Sequence, residues 1–309
     1  MTGRVLVGVD GSEGSRQAMA WALEEAALRH SVLEVVIVWE EPSDFERRHH
    51  RTDEDARAGA QQCLAEILGG AGGEHVPADI EPIVLEGDPA DTLCLRADKA
   101  DVLVVGSRGH STVAGVLLGS VSSKCAHHSR APVVIVPPRH GRELDRDGEE
   151  TVRIVVGVDG SVGSRLALKW AVDEAALRGA RVEAVAIWRA IEANDEMNVE
   201  LAMFPSLRRR DRSLAETTKE RLEEVISELA RESAPVDIDP LVFEGSPAEV
   251  LCERAAGSEL LVVGSRGHGA VAGLLLGSVS AECAHRSPRP VVIVPTNRVA
   301  SSAMPQAGT

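Results

Sequence analysis

The chain has 309 residues, and its 48 acidic side chains outweigh 33 basic ones to give a formal net charge of −15. That balance excludes a dedicated nucleic-acid binder, which would carry a basic face. The hydrophobic set makes up 44 % but aromatics only 2 %, with no Tyr, so a globular core must be built from Val, Leu, Ile and Ala. The five cysteines (Cys63, Cys94, Cys125, Cys252, Cys283) contain no CxxC pair, which argues against a disulfide framework and a zinc site. No apolar run approaches the ~20 residues that cross a bilayer. Nothing at the N-terminus reads as a signal peptide, so a protein of the reducing cytoplasm, without membrane or nucleic-acid partners, is expected.

In chain order, "RVLVGV" (4–9), "VLEVVIVW" (32–39), "IEPIVLE" (80–86), "DVLVVG" (101–106) and "PVVIVP" (132–137) are short, β-branched apolar runs. Such runs predict parallel strands buried on both faces. Helical stretches lie between them. Ala18, Trp21, Ala22 and Ala26 form one stripe of the first, with Trp21 read as a core anchor. "EGDPA" predicts Asp88 as an N-cap followed by proline in the first turn. The fourth strand runs into "VVGSRGHSTVAGVLLGSVSS" (104–123). There Ser120 is the expected N-cap of a helix whose Val121, Cys125 and His128 share a face. His127 suits the negative end of that helix, and Cys94 and Cys125 read as small buried hydrophobes.

The whole pattern then repeats. "RVLVGVDGSEGSRQAMAWALEEAALRH" (4–30) returns at 153–179, where Ala167, Trp170, Ala171 and Ala175 restate the stripe. "EGDPADTLC" (86–94) returns as "EGSPAEVLC" (244–252), with Ser246 in the place of Asp88. "VVGSRGHGAVAGLLLGSVSA" (262–281) restates the glycine loop, and Cys252, Cys283 and His285 follow their first-copy counterparts. The second copy has nine extra residues between Trp188 and Glu244 (offset 158 against 149), which "RAIEANDEMNVELAMFPSLRRRDR" is expected to host. The order β-α-β-α-β-α-β-α-β in each copy predicts an α/β protein of two tandem, doubly wound, five-stranded parallel-sheet domains. The expected boundaries are 1–140 and 152–296, with a charged linker at 141–151 and a disordered tail at 297–309.

Open parallel sheets bind ligands beyond the carboxyl ends of strands, where the strand order reverses. The first strand of each copy ends in "GVDGS", placing Asp10 and Asp159 there, and the fourth ends in the glycine loop. If strands one and four are neighbours, carboxylate and loop share one crevice. Glycines permit close backbone approach, and a helix starting at Ser120 aims its free N–H groups and positive dipole end at the same place. Hydroxyls at Ser120 and Ser122 would add donors. A Walker A loop, a GxGxxG fingerprint after the first strand and a GxSxG elbow are all absent. The pattern reads as a phosphate cradle made without lysine, with Arg108 and Arg266 able to neutralise charge only if they turn inward.

The combination of G-x-x-G, nine residues, then G-[ST] after the fourth strand, with Asp ending the first, resembles the ATP-binding class of universal stress proteins. Gly106, Gly109, Gly119 and Ser120 carry it in one copy, and Gly264, Gly267, Gly277 and Ser278 in the other. The resemblance implies a Rossmann-like strand order of 3-2-1-4-5 and one ATP per domain. It also implies pairing through the last strands, within the chain or in a homodimer. By position it places Val9, Asp10 and Val38 near the adenosine, and Gly106, Ser107, Gly109, His110, Gly119, Ser120, Val121 and Ser122 around ribose and phosphates. The second site would use Val158, Asp159, Ile187, Gly264, Ser265, Gly267, His268, Gly277, Ser278, Val279 and Ser280. Asp10 and Asp159 could hold Mg²⁺ through water. The missing lysine favours a regulatory protein that holds ATP over an enzyme that hydrolyses it. Slow ATP hydrolysis or phosphate transfer, and an AMP- or flavin-binding electron-transfer subunit, are the alternatives.

Overall fold

In a computed structural model, residues 3–42, 52–71, 79–109, 118–138, 152–188, 205–229, 235–267 and 276–296 are described. The first copy runs β1 (Arg4–Val9), α1 (Glu13–Leu28), β2 (Val32–Trp39), α2 (Asp53–Ala71), β3 (Ile80–Glu86), α3 (Pro89–Ala97), β4 (Val102–Gly106), α4 (Ser120–His128) and β5 (Val133–Val136). The second runs β6 (Arg153–Gly157), α5 (Val162–Arg178), β7 (Arg181–Trp188), α6 (Pro205–Leu229), β8 (Ile238–Glu244), α7 (Pro247–Ala255), β9 (Leu260–Gly264), α8 (Ser278–Arg286) and β10 (Val291–Val294).

The chain divides into two compact units, the first holding residues 1–147, 284–286 and 290–309, the second residues 148–283 and 287–289. In the first, the strands lie in the order β3-β2-β1-β4-β5, all parallel, and β10 adds antiparallel to β5 with Val292 opposite Val134. In the second, β8-β7-β6-β9 repeats the order 3-2-1-4 in parallel. β1 and β6 are flanked by strands on both sides and buried through their centres, from Val5 to Val7 and from Ile154 to Val156. The unbroken apolar runs reflect that position, since side chains on both faces of a central strand are covered by helices. β3 and β8 form the outer edges: their side chains are half-buried or exposed, none fully buried, and each carries a proline, Pro82 or Pro240, as edge strands tolerate.

Buried carboxylates sit in this framework with arginine partners. Glu34 on β2 is 4 % exposed and bonds Arg4 of β1 and Arg96 of α3, whose Nε is 2.5 Å away. Glu183 on β7, 2 % exposed, repeats the arrangement with Arg153 at 3.0 Å and Arg254 at 2.6 Å. Burial is tolerated because each carboxylate meets two guanidinium groups. Trp21 and Trp170, expected as core anchors, are half-buried at the edge of their helix stripes, while Ala18, Ala22, Ala26, Ala167, Ala171 and Ala175 are fully covered. Part of the stretch expected to host the second copy's insertion is helical: α6 has 25 residues against 19 in α2, and "PSLRRRDR" begins it. Residues 189–204 of that stretch, the linker and the tail lie outside the described residues.

Candidate functional site

The register of the sheet brings the strand tips level. Val7 pairs with Val104 of β4, so Val9 and Gly106 end their strands side by side, and Val9 also faces Ile37 of β2. Asp10 therefore emerges beside the loop that follows β4. Its Oδ1 accepts a hydrogen bond from the Ser12 N–H at 2.9 Å, closing a turn through Gly11 (φ 87°). Ser12 then caps α1, its hydroxyl oxygen accepting from the Ser15 N–H at 3.2 Å. "DGS" is thus both a turn and a helix start, and it leaves the other carboxylate oxygen of Asp10 turned toward Gly109. A Cβ on Gly109 would stand 2.5 Å from Asp10 Oδ2. Asp159 repeats the turn through Ser161 at 3.0 Å, and its Oδ2 would collide with a Cβ on Gly267 in the same way. Carboxylate and glycine loop share one crevice in each copy.

The two glycines of G-x-x-G do different jobs. A Cβ on Gly106 would lie 2.6 Å from the carbonyl carbon and oxygen of Gly14, in the first turn of α1. Gly264 meets Gly163 of α5 likewise, at 2.5 Å. The first glycine of each loop therefore lets strand and helix backbones touch, and its absent side chain faces packed protein. The second faces the aspartate and the crevice.

The loop returns through Leu118, 6 % exposed, and Leu276, 7 % exposed, to α4 and α8. Here the expected N-cap is corrected. The N-cap of α4 is Gly119 (φ −71°, ψ 161°), and Ser120 is the first helical residue, exposed at the helix tip. Gly277 and Ser278 repeat this at α8. Neither helix has a side-chain cap, so the first-turn N–H groups are left to the crevice. Ser122, expected to offer its hydroxyl to a ligand, is 2 % exposed and donates instead to the carbonyls of Ser107 (3.2 Å) and Gly119 (3.0 Å). Ser280 does the same toward Gly264 at 2.7 Å. With the Gly119 N–H bonded to Ser107 O at 2.7 Å, and Gly277 to Ser265 O at 2.8 Å, these serines lock helix to loop. Ser107 and Ser265 are themselves buried, so they offer this backbone carbonyl and no open hydroxyl. The sequence could not distinguish a capping serine from the one after the cap, because glycine and serine are both good caps.

Val38 and Ile187, near the ends of β2 and β7, are half-buried, as are Val121 and Val279 in the first turns of α4 and α8; Val9 and Val158 are 5 % exposed. His110 and His268 lie outside the described residues. Arg108 Nε is buried and has no hydrogen-bond partner, an uncommon state for a guanidinium N–H. His127 Nδ1 lies 2.6 Å from the Ser123 carbonyl oxygen one turn earlier, at the far end of α4. Among the described residues no three His, Cys, Asp or Glu side chains come together as a metal site, and no helix is long and apolar enough to cross a membrane.

A doubly wound parallel sheet with a carboxylate at the tip of its first strand and glycine-capped helix N-termini after its fourth defines an α/β protein of the Rossmann-like kind, with a crevice at the switch point. The chain belongs to the universal stress protein family, whose model matches residues 1–137 and again 151–295. A universal stress protein of Mycolicibacterium smegmatis is 31 % identical over 300 residues, covering 94 % of this chain and 96 % of the relative. One from Mycobacterium tuberculosis is 32 % identical over 308 residues, covering 94 % of each. The crystal structure of a universal stress protein from Archaeoglobus fulgidus shares the fold at a TM-score of 0.63, with 22 % identity over 95 % of this chain and 98 % of that one.

Proposed function

We propose that each half of the chain binds one ATP in its crevice, and that nucleotide occupancy is the regulatory signal partners read. The observation that carries this reading is the twice-built crevice: a strand-tip aspartate, a glycine whose added Cβ would meet that aspartate, and a helix N-terminus without a side-chain cap converge in both copies. The residues fit the group. A Cβ at Gly109 or Gly267 would fill the cradle, and an anionic oxygen would satisfy the buried Nε of Arg108. The N–H groups of Ser120, Val121 and Ser122, with the positive end of α4, suit a phosphate. Half-buried Val38 and Ile187 suit an adenine face. A bound nucleotide would supply the negative charge to which these donors answer, and a divalent cation on it would take one carboxylate per site from this chain, Asp10 or Asp159, with phosphate and water oxygens completing its shell.

Holding is favoured over hydrolysis. Phosphoryl transfer needs groups that position water and neutralise charge developing on the leaving phosphate. Ser122 and Ser280 are committed to backbone carbonyls, and one oxygen of each aspartate is committed to its turn. Nucleotide released from freshly purified protein and identified by mass spectrometry tests the reading. Intact ATP that persists over hours on the protein is the expected result. Protein that carries no nucleotide and whose melting temperature ignores added ATP would overturn it. ADP accumulating in a manner abolished by Asp10→Ala would replace holding with hydrolysis.

A further inference from the structure

Between α3 and the edge strand β3 lies a groove of about 760 Å³ that the nucleotide reading does not use. Half-buried Leu85 and Thr92 line it, and Leu95 stands beside them, 75 % exposed, the most exposed large apolar side chain among the described residues. A projecting leucine next to an apolar-walled groove puts a knob and a hole on one surface, as a two-fold interface requires. The charges fit the same symmetry. Three cations and three carboxylates line the groove, so this patch is neutral on a chain of net charge −15. Arg4 and Arg96 hold Glu34, and Arg130 lies 3.5 Å from Asp98. Among the described residues Glu86 and Lys99, the remaining pair, have no ion-pair partner. They flank α3 at opposite ends, Glu86 before Pro89 and Lys99 after Ala97.

We propose that this face of the first half is a homodimer interface, occupied by the same face of a second copy of the chain. A two-fold axis near the middle of α3 sets each Lys99 against Glu86 of the partner subunit and each Leu95 into the opposite groove, beside Leu85 of the partner subunit. The pairing expected through the last strands does not compete for this face, since β5 is covered by β10. The second half lacks the parts. Phe243 replaces Leu85 and carries the Arg254 guanidinium 5.5 Å from its ring centroid, while Glu253 replaces Leu95 and Gly257 replaces Lys99. Only the first half therefore offers both the knob and the charge pair. A face one short helix long is smaller than the ~800 Å² per partner of a stable complex, so the dimer is reversible and concentration-dependent.

Sedimentation velocity of the full-length protein, from micromolar to submillimolar, tests this. The wild type should shift from monomer toward dimer as concentration rises. Leu95→Glu, which installs the residue the second half holds there, should remain monomeric. Glu86→Lys or Lys99→Glu should each weaken association about tenfold, because symmetry places the repulsion at two points, and the double charge reversal should restore it. Leu177→Glu, at an exposed leucine of α5, should leave association unchanged. All these side chains are at the surface, so melting temperatures should match the wild type. A wild type that stays monomeric throughout would overturn the proposal, as would a dimer that survives Leu95→Glu, or a double reversal no better than the single ones.

Discussion

The two copies of the repeat build the same crevice on different supports. Strand tips agree closely: Asp10 and Asp159 make the same turn, Gly106 and Gly264 admit the same helix, and Gly119 and Gly277 cap the same helix start. Helix ends diverge. α3 is capped by Asp88, whose Oδ1 accepts from the N–H groups of Ala90 and Asp91, whereas Ser246 at the start of α7 makes no side-chain cap bond. α5 ends on Gly179 in the left-handed region (φ 64°), where the first copy holds His30 at φ 50°. The difference teaches that the sheet and its close backbone contacts define the site, while caps trim the stability of each copy separately.

The largest expected effect probes what the copies share. Removing one partner of a buried ion pair costs about 3 kcal/mol, so Glu183→Ala should destabilise the second copy by that order. Glu34→Ala should cost less, because Arg4 is 41 % exposed against 23 % for Arg153 and the orphaned guanidinium can rehydrate. Hydrogen exchange read separately over β2 and β7 in the full chain checks the ranking; equal losses would break it. Next, Gly106→Ala or Gly264→Ala forces a methyl group against helix backbone and should cost about 2 kcal/mol. Gly109→Ala should instead spare stability, since the Asp10 carboxylate can swing aside, yet obstruct the crevice. Comparing melting temperatures of the Gly106 and Gly109 variants separates packing from binding.

Exchanging the helix ends should move stability by smaller steps. His30→Gly relieves a left-handed non-glycine residue and should stabilise the end of α1 by about 1 kcal/mol, while Gly179→His should cost α5 a similar amount. Smallest is the cap. Asp88→Ala should weaken α3 by about 0.5 kcal/mol at neutral pH. The N–H bond from Asp91, and then the Lys124 ammonium, hold the Asp88 carboxyl below its usual range. A carboxyl lowered on folding stabilises above its unfolded pKa, and that stabilisation is lost as pH falls through the folded value. Exchange at α3 should therefore accelerate below the ordinary carboxylate range beyond the change at α7, where Ser246 does not titrate.

Much of this was legible in the residues. The repeat and the parallel strands followed from β-branched runs and their connections, the strand order from the family resemblance, and the shared crevice of Asp10 and Gly109 from the condition, met in the sheet, that strands one and four are neighbours. Sequence failed where two residue types can do one job. Gly119 and Ser120 are both competent caps, Ser122 could face ligand or loop, and nothing in "GSRG" says which glycine meets a helix and which meets a ligand. The Glu34 and Glu183 clusters were missed because their arginines lie far along the chain and meet only in the folded sheet.

The central claim, one nucleotide per half, is tested most directly by isothermal titration of nucleotide-stripped protein with ATP. Two sites per chain are expected in the wild type, one in either Gly109→Ala or Gly267→Ala, and none in the double variant, with all four proteins folded. No binding to the wild type, or two sites retained in the double variant, would contradict the account.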